Sequence, residues 1–222
     1  MKRVSKQELT NIRLSIAEHG FWFVDIPRTS SSSVRAELGR HFGPIYGKNN
    51  VMEKQHATQQ TFGDHISAKR IRDFLGQDAW NEIFTFTIVR NPWDRIYSMY
   101  NYRKKLGRLP KDMEFRDYVL ALSARNSLFD FHGFYFGAWD YITDDNGEIM
   151  VDFVAKYENR AHDLKFVASQ INIEHFGELS IQSASPKGAH YSNSYDPETR
   201  EIISTLYEKD IALFKYKFDD LP

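Results

Sequence analysis

Two short stretches of this 222-residue chain gather side chains that can hold an anion. The first is Pro27-Arg28-Thr29-Ser30-Ser31-Ser32-Ser33, one guanidinium followed by an unbroken row of hydroxyls. A helix opening there would aim its unpaired N–H groups and the positive end of its dipole at the same spot, which suits a phosphate or sulfate ester. The second is Arg90-Asn91-Pro92 with Ser98 eight residues beyond the arginine. An arginine at a strand end and a serine about two turns into the next helix can meet one anion. Each stretch also has a plainer reading: four consecutive serines often form a linker, and a lone arginine and serine are commonly just solvated. The nucleotide pattern GxxxxGK followed by Ser or Thr is absent, so an ordinary ATP-binding P-loop is not supported.

The flanking residues predict the elements that would position these groups. Phe21, Trp22, Phe23, Val24 and Ile26 form a nearly continuous apolar run, which predicts a strand buried on both faces of a parallel sheet and ended by Pro27. Val34, Leu38 and Phe42 follow at spacing four and predict the helix, with any hydroxyl from Thr29 to Ser33 able to cap it. The pattern then repeats. Residues 84–89 predict a second strand, Asn91 an N-cap and Pro92 the first residue of a helix reaching Lys105. Its apolar face would be Trp93, Ile96, Tyr97 and Tyr100, with Asp94, Arg95, Ser98 and Asn101 opposite.

Around these two units, periodicity predicts a helix over 5–18 closed by Gly20, and a short one capped by Ser67. Further helices are predicted over 113–125 through Phe115, Tyr118, Val119 and Leu122, and over 160–170 with Leu164, Val167 and Ala168 inward. Asp145-Asn146-Gly147 signals a tight hairpin between two strands. Asp196-Pro197 should start one long helix, with Ile202, Ile203, Leu206, Ile211 and Leu213 as its apolar positions. Two non-periodic connections, over 40–65 and 180–196, hold His56, His65, Lys187, Gly188 and His190. Strands alternating with helices predict an α/β fold, three-layer α/β/α with a central, mainly parallel sheet, as one domain over 1–222. The ligand should lie at the carboxyl ends of the strands, where both anion stretches fall.

A net charge of −1 gives no global reason to expect a nucleic acid or a membrane as partner, so any anion site is local. The absence of cysteine excludes thiolate chemistry and disulfides. The first twenty residues lack the apolar core of a signal peptide, so the expectation is a soluble, cytoplasmic protein. No His/Asp/Glu spacing matches a metal motif, and no metal is expected. The locally basic segment 103–116 and the aromatic stretch 129–141 suit an acceptor pocket for an anionic or stacked molecule, or simply a solvated face and a core.

Ile26-Pro27-Arg28-Thr29-Ser30-Ser31-Ser32-Ser33 resembles the 5′-phosphosulfate loop of sulfotransferases, and FTIVRNPWDRIYSMYNY resembles their 3′-phosphate motif. With His65-Ile66-Ser67-Ala68, VDFVAKYEN and the C-terminal segment, the similarity covers most of residues 21–218 and is nearest the bacterial and carbohydrate branch, on a P-loop-NTPase-like fold. It implies an enzyme that uses 3′-phosphoadenosine-5′-phosphosulfate (PAPS) to sulfate a hydroxyl or amine of a glycan or small-molecule acceptor by in-line transfer. It also implies roles: Arg28 and the hydroxyls and amides of Thr29, Ser30, Ser31, Ser32 and Ser33 for the 5′-phosphate, Arg90 and Ser98 for the 3′-phosphate, and Lys187 and Gly188 as a late donor-binding segment. Histidine suits a general base near neutral pH, with His65 first and His56 second. Arg28 stands where the family usually has lysine, and no glycine interrupts the serines. Two other readings stay open: a nucleotide or small-molecule kinase, and a PAPS-binding protein of weakened catalysis.

Overall fold

The computed structural model describes residues 6–43, 65–124, 136–177 and 190–219. In chain order the elements are α1 (Lys6–His19), β1 (Phe21–Val24), α2 (Ser31–Phe42), α3 (Ala68–Leu75), α4 (Gln77–Asn81), β2 (Phe84–Val89), α5 (Pro92–Lys105), α6 (Phe115–Ser123), α7 (Ala138–Ile142), β3 (Phe153–Lys156), α8 (Arg160–Gln170), α9 (Pro197–Leu206) and α10 (Glu208–Phe214). They fall into two compact units, residues 1–89 with 141–180, and residues 90–140 with 181–222.

The first unit is built on a parallel sheet in the order β1-β2-β3. Phe21 lies opposite Phe84, Phe23 opposite Phe86, and Phe86 opposite Phe153, so the pleat puts this phenylalanine set on one face. Phe42 from α2 packs edge-on against Phe21, and Phe166 from α8 against Phe84 and Phe153. All four residues of β1 are buried, so its other face is covered as well. The molecule is therefore an α/β protein with a parallel sheet. Leu164, Val167 and Ala168 of α8 are buried as their spacing predicts.

Two expectations in this unit need correction. The strand stops at Val24, two residues before the apolar run does, because the carbonyls of Asp25 and Ile26 are engaged by the His65 imidazole and the Thr29 hydroxyl instead of a ladder. Residues 144–147 do form a turn, with Gly147 at φ 86°, but the flanking residues make a single antiparallel bridge between Thr143 and Ile149 and no two-stranded hairpin. Asp144 satisfies the turn by accepting the N–H groups of Asn146 and Glu148, while β3 forms farther on, alongside β2.

The second unit centres on α5. Asn91 caps it by accepting the Trp93 N–H at 3.1 Å, and Pro92 occupies its first turn, as predicted. The predicted polar face is the correction: every residue from Pro92 to Tyr100 is buried. The C-terminal segment wraps the helix, with Tyr195 Oη donating to Trp93 O, Trp93 Nε1 to Arg200 O and Asn91 Nδ2 to Lys217 O. The four apolar positions foreseen in α6 are all buried. The long C-terminal helix is broken at Tyr207 into α9 and α10, and Leu206 is 37% exposed, outside the core. Its start is the foreseen one, a capping box in which Asp196 and Thr199 each bond the other's N–H.

Candidate functional site

The turn between β1 and α2 is unusual in its backbone. Arg28 and Ser30 both have positive φ, 70° and 75°, a region that residues other than Gly, Asn and Asp seldom occupy. Ser30 stands at the N-cap of α2 in the left-handed conformation and its hydroxyl makes no capping bond, contrary to the expectation that one of the hydroxyls would cap the helix. The Ser30 carbonyl accepts the N–H groups of Ser33 and Val34, so the helix closes behind the turn. The amides of Ser31 and Ser32 have no carbonyl behind them within the helix and sit at the positive end of its dipole. Thr29 is fully buried and its hydroxyl donates to Ile26 O at 2.9 Å, so the side chain braces the turn.

Asp25 lies at the root of this turn. It is 7% exposed, and three side chains converge on it. Arg35 Nη1 is 2.7 Å from Oδ2, and His65 Nδ1 is 3.0 Å from Oδ1. The Ser31 hydroxyl lies close to the carboxylate without closing a hydrogen bond to it. Burial pushes the Asp25 carboxyl up, but the nearby His65, Arg35 and Ser31 groups outweigh it and hold the group below the ordinary carboxylate value. His65 Nδ1 also lies 3.2 Å from the Asp25 backbone O, which meets hydrogen-bond geometry, whereas the carboxylate contact does not. His65 itself has φ 62°, another sparsely populated backbone held by its surroundings.

In the second unit, Arg90 and Asp94 form a bidentate pair, Nε to Oδ2 and Nη2 to Oδ1, both at 2.8 Å. Both side chains are under 10% exposed, and Ser98 is 2% exposed. Asp94 takes the Nε–Nη2 edge of the guanidinium. Of the basic segment, Arg103 is buried, Arg116 pairs with Asp196 and Glu198, and Lys104 donates to Tyr100 Oη. Lys105, Arg108 and Lys111 are exposed. His56, Lys187, Gly188 and residues 129–135 of the aromatic stretch lie outside the described residues.

The structure thus brings Arg35 and His65 onto an acid, Asp25, that precedes the turn carrying Arg28 and the serines and that sequence reading passed over. The signal was available: an aspartate inside a run of buried strand residues is costly unless something pairs it. Among the described residues no group of three or more His, Asp or Glu is placed to hold a metal ion. No described helix is long and apolar enough to cross a membrane.

A profile of the Sulfotransferase family matches residues 16–217. The chain belongs to the sulfotransferase family. This membership supports sulfuryl transfer as its general activity. An uncharacterized protein of Archaeoglobus fulgidus is 27% identical over 121 residues, 54% of this chain and 92% of the relative. The crystal structure of a sulfotransferase from Alicyclobacillus acidocaldarius matches 96% of this chain and 94% of its own, at 13% identity and a TM-score of 0.36, too low to bear on the fold.

Proposed function

We propose that this protein moves a sulfuryl group from PAPS to a hydroxyl or amine of a carbohydrate or small-molecule acceptor. The observation that carries the proposal is the shared anchor: Asp25 both precedes the loop and holds His65, so an anion cradle and a histidine suited to proton abstraction are fixed to one residue. When bound, PAPS supplies the sulfuryl group together with a leaving phosphate on which charge develops. The amides of Ser31 and Ser32, backed by a 12-residue helix, are positioned to hold that phosphate, and the left-handed turn leaves them uncapped. Arg28 neutralises the charge by attraction alone, since a guanidinium does not give up its proton. His65 accepts the acceptor's proton as the bond to sulfur forms; His56 is the second choice. Arg90 and Ser98, with Lys187 and Gly188, are assigned to the rest of the nucleotide, above all its 3′-phosphate. No metal has a part in this scheme. A chain without cysteine works equally well in a reducing compartment, and we place it in the cytoplasm.

The test is thermal denaturation with 3′,5′-adenosine bisphosphate, compared with 5′-AMP, ADP and ATP with magnesium. A ligand present at a hundred times its Kd adds about 2.7 kcal/mol of stability, well within detection. The bisphosphate is expected to stabilise selectively, and Arg28→Ala to lose most of that gain. Stabilisation by ATP with magnesium but not by the bisphosphate would replace this proposal with a kinase.

A further inference from the structure

We infer that Asp25 is the positioning residue that sets the tautomer and orientation of His65, so that Nε2 is the nitrogen presented for proton abstraction. The inference rests on His65 as the base proposed above, and its own ground is geometric. His65 Nδ1 faces two oxygens of Asp25, the backbone O at 3.2 Å and Oδ1 at 3.0 Å. A carbonyl oxygen never donates, and a carboxylate ion-paired to Arg35 at 2.7 Å does not donate either. Nδ1 must therefore carry the hydrogen, which leaves the lone pair on Nε2. Two contacts from one residue also fix the ring plane more firmly than either alone.

The same carboxylate faces the imidazolium that forms when Nε2 takes the acceptor's proton. No bond to Asp25 breaks in that step: Nδ1 keeps its hydrogen, and the acceptor oxygen or nitrogen turns its freed electron pair to sulfur as the phosphate leaves. This is the logic of a base held by an acid that is not itself protonated. Arg35 has a defined part. By occupying Oδ2 at 2.7 Å it keeps the carboxylate from turning away from His65. It also predicts what an amide would do in the acid's place: an asparagine would give its oxygen to Arg35 and turn its NH2 toward the imidazole, favouring a lone pair at Nδ1 in competition with the backbone O that remains.

The experiment is nitrogen-15 NMR of the full chain labelled at histidine, at mildly alkaline pH where free imidazoles are neutral, with His65 identified by its loss in His65→Ala. The parent should show His65 as the Nδ1–H tautomer, and Asp25→Asn should shift population to the Nε2–H form. An Nε2–H parent, or an Asp25→Asn protein with an unchanged tautomer, overturns the inference. If Asp25→Asn does not fold, the parent tautomer alone decides. In turnover assays with PAPS, Asp25→Asn should lower kcat by ~10²-fold or more while KM for the donor stays put, and it should add nothing to His65→Ala. A raised donor KM with unchanged kcat, or additive losses, would assign Asp25 to the loop and overturn its role toward His65. A parent with no sulfuryl transfer to any acceptor would sink the proposed function, and the tautomer measurement would still decide the role of Asp25.

Discussion

The two anion stretches are written in the same local grammar, a buried strand, an arginine, and a helix that opens within three residues, yet their helix ends differ. At α2 the N-cap residue is left-handed, its hydroxyl caps nothing, and the first amides have no carbonyl behind them within the helix. At α5 the Asn91 side chain takes the Trp93 N–H, proline removes another donor, and Asp94 grips the strand-end arginine at two points. One helix end leaves its first amides uncapped; the other is capped by its own side chain and pairs the strand-end arginine. The two ends thus differ in what caps them, more than in how many hydroxyls surround them.

The contrast can be broken by mutation. The largest effect is expected from Asp94→Ala, which leaves the buried Arg90 guanidinium without its carboxylate and should cost about 3–5 kcal/mol in urea unfolding. A loss below about 1 kcal/mol would mean that the second arginine is not held by its own helix. Next is Asn91→Ala, which removes both the cap and the bond to Lys217 O and should cost about 2 kcal/mol. Ser30→Gly should do the opposite and stabilise by about 1 kcal/mol, because it relieves a left-handed serine and removes no capping bond. Should Ser30→Gly prove destabilising, the hydroxyl is doing structural work that would erase the difference between the two helix ends.

The smallest effect is a pH dependence of opposite sign in the two units. Asp25 is held below its ordinary value, so its contribution to stability is full above the unfolded carboxylate pKa and fades as pH falls through the folded value. Asp210 in the second unit is held above its ordinary value, first by burial, though it accepts the N–H groups of Ala138 and Trp139. Between its unfolded and folded pKa values, acidification therefore protonates the folded state first and adds stability. Replacing Asp25 with Asn should flatten the acid side of a stability profile, whereas Asp210→Asn should remove a rise on acidification. Denaturation midpoints across the carboxylate range would show whether the signs differ.

Much of the local structure was legible because it depends on neighbours in sequence. The strand at 84–89, the caps at Ser67, Asn91 and Asp196, and the inward positions of α6 and α8 all follow from periodicity and end chemistry within a few residues. The misreadings came where distant chain intervened. Asp94, Arg95 and Ser98 have the spacing of a solvent face yet are buried, Arg95 over the Tyr207 ring and Asp94 against Arg90, and a periodicity argument has no knowledge of what will pack on a polar stripe. Arg95 is 1% exposed and donates to Phe136 O, a partner 41 residues away.

The sequence by itself determined most of the element types, the two strand–turn–helix units, and the residue classes gathered in the two polar stretches, because these rest on backbone propensity, apolar period and side-chain chemistry close along the chain. The tertiary structure alone decided which polar groups are already satisfied. It brought His65 across 40 residues to Asp25 and turned Ser30 left-handed so that the helix end stays uncapped. It also buried Arg90 against Asp94. Burial and pairing depend on what arrives from elsewhere in the chain, and they convert a list of possible donors into those that can still bind something else.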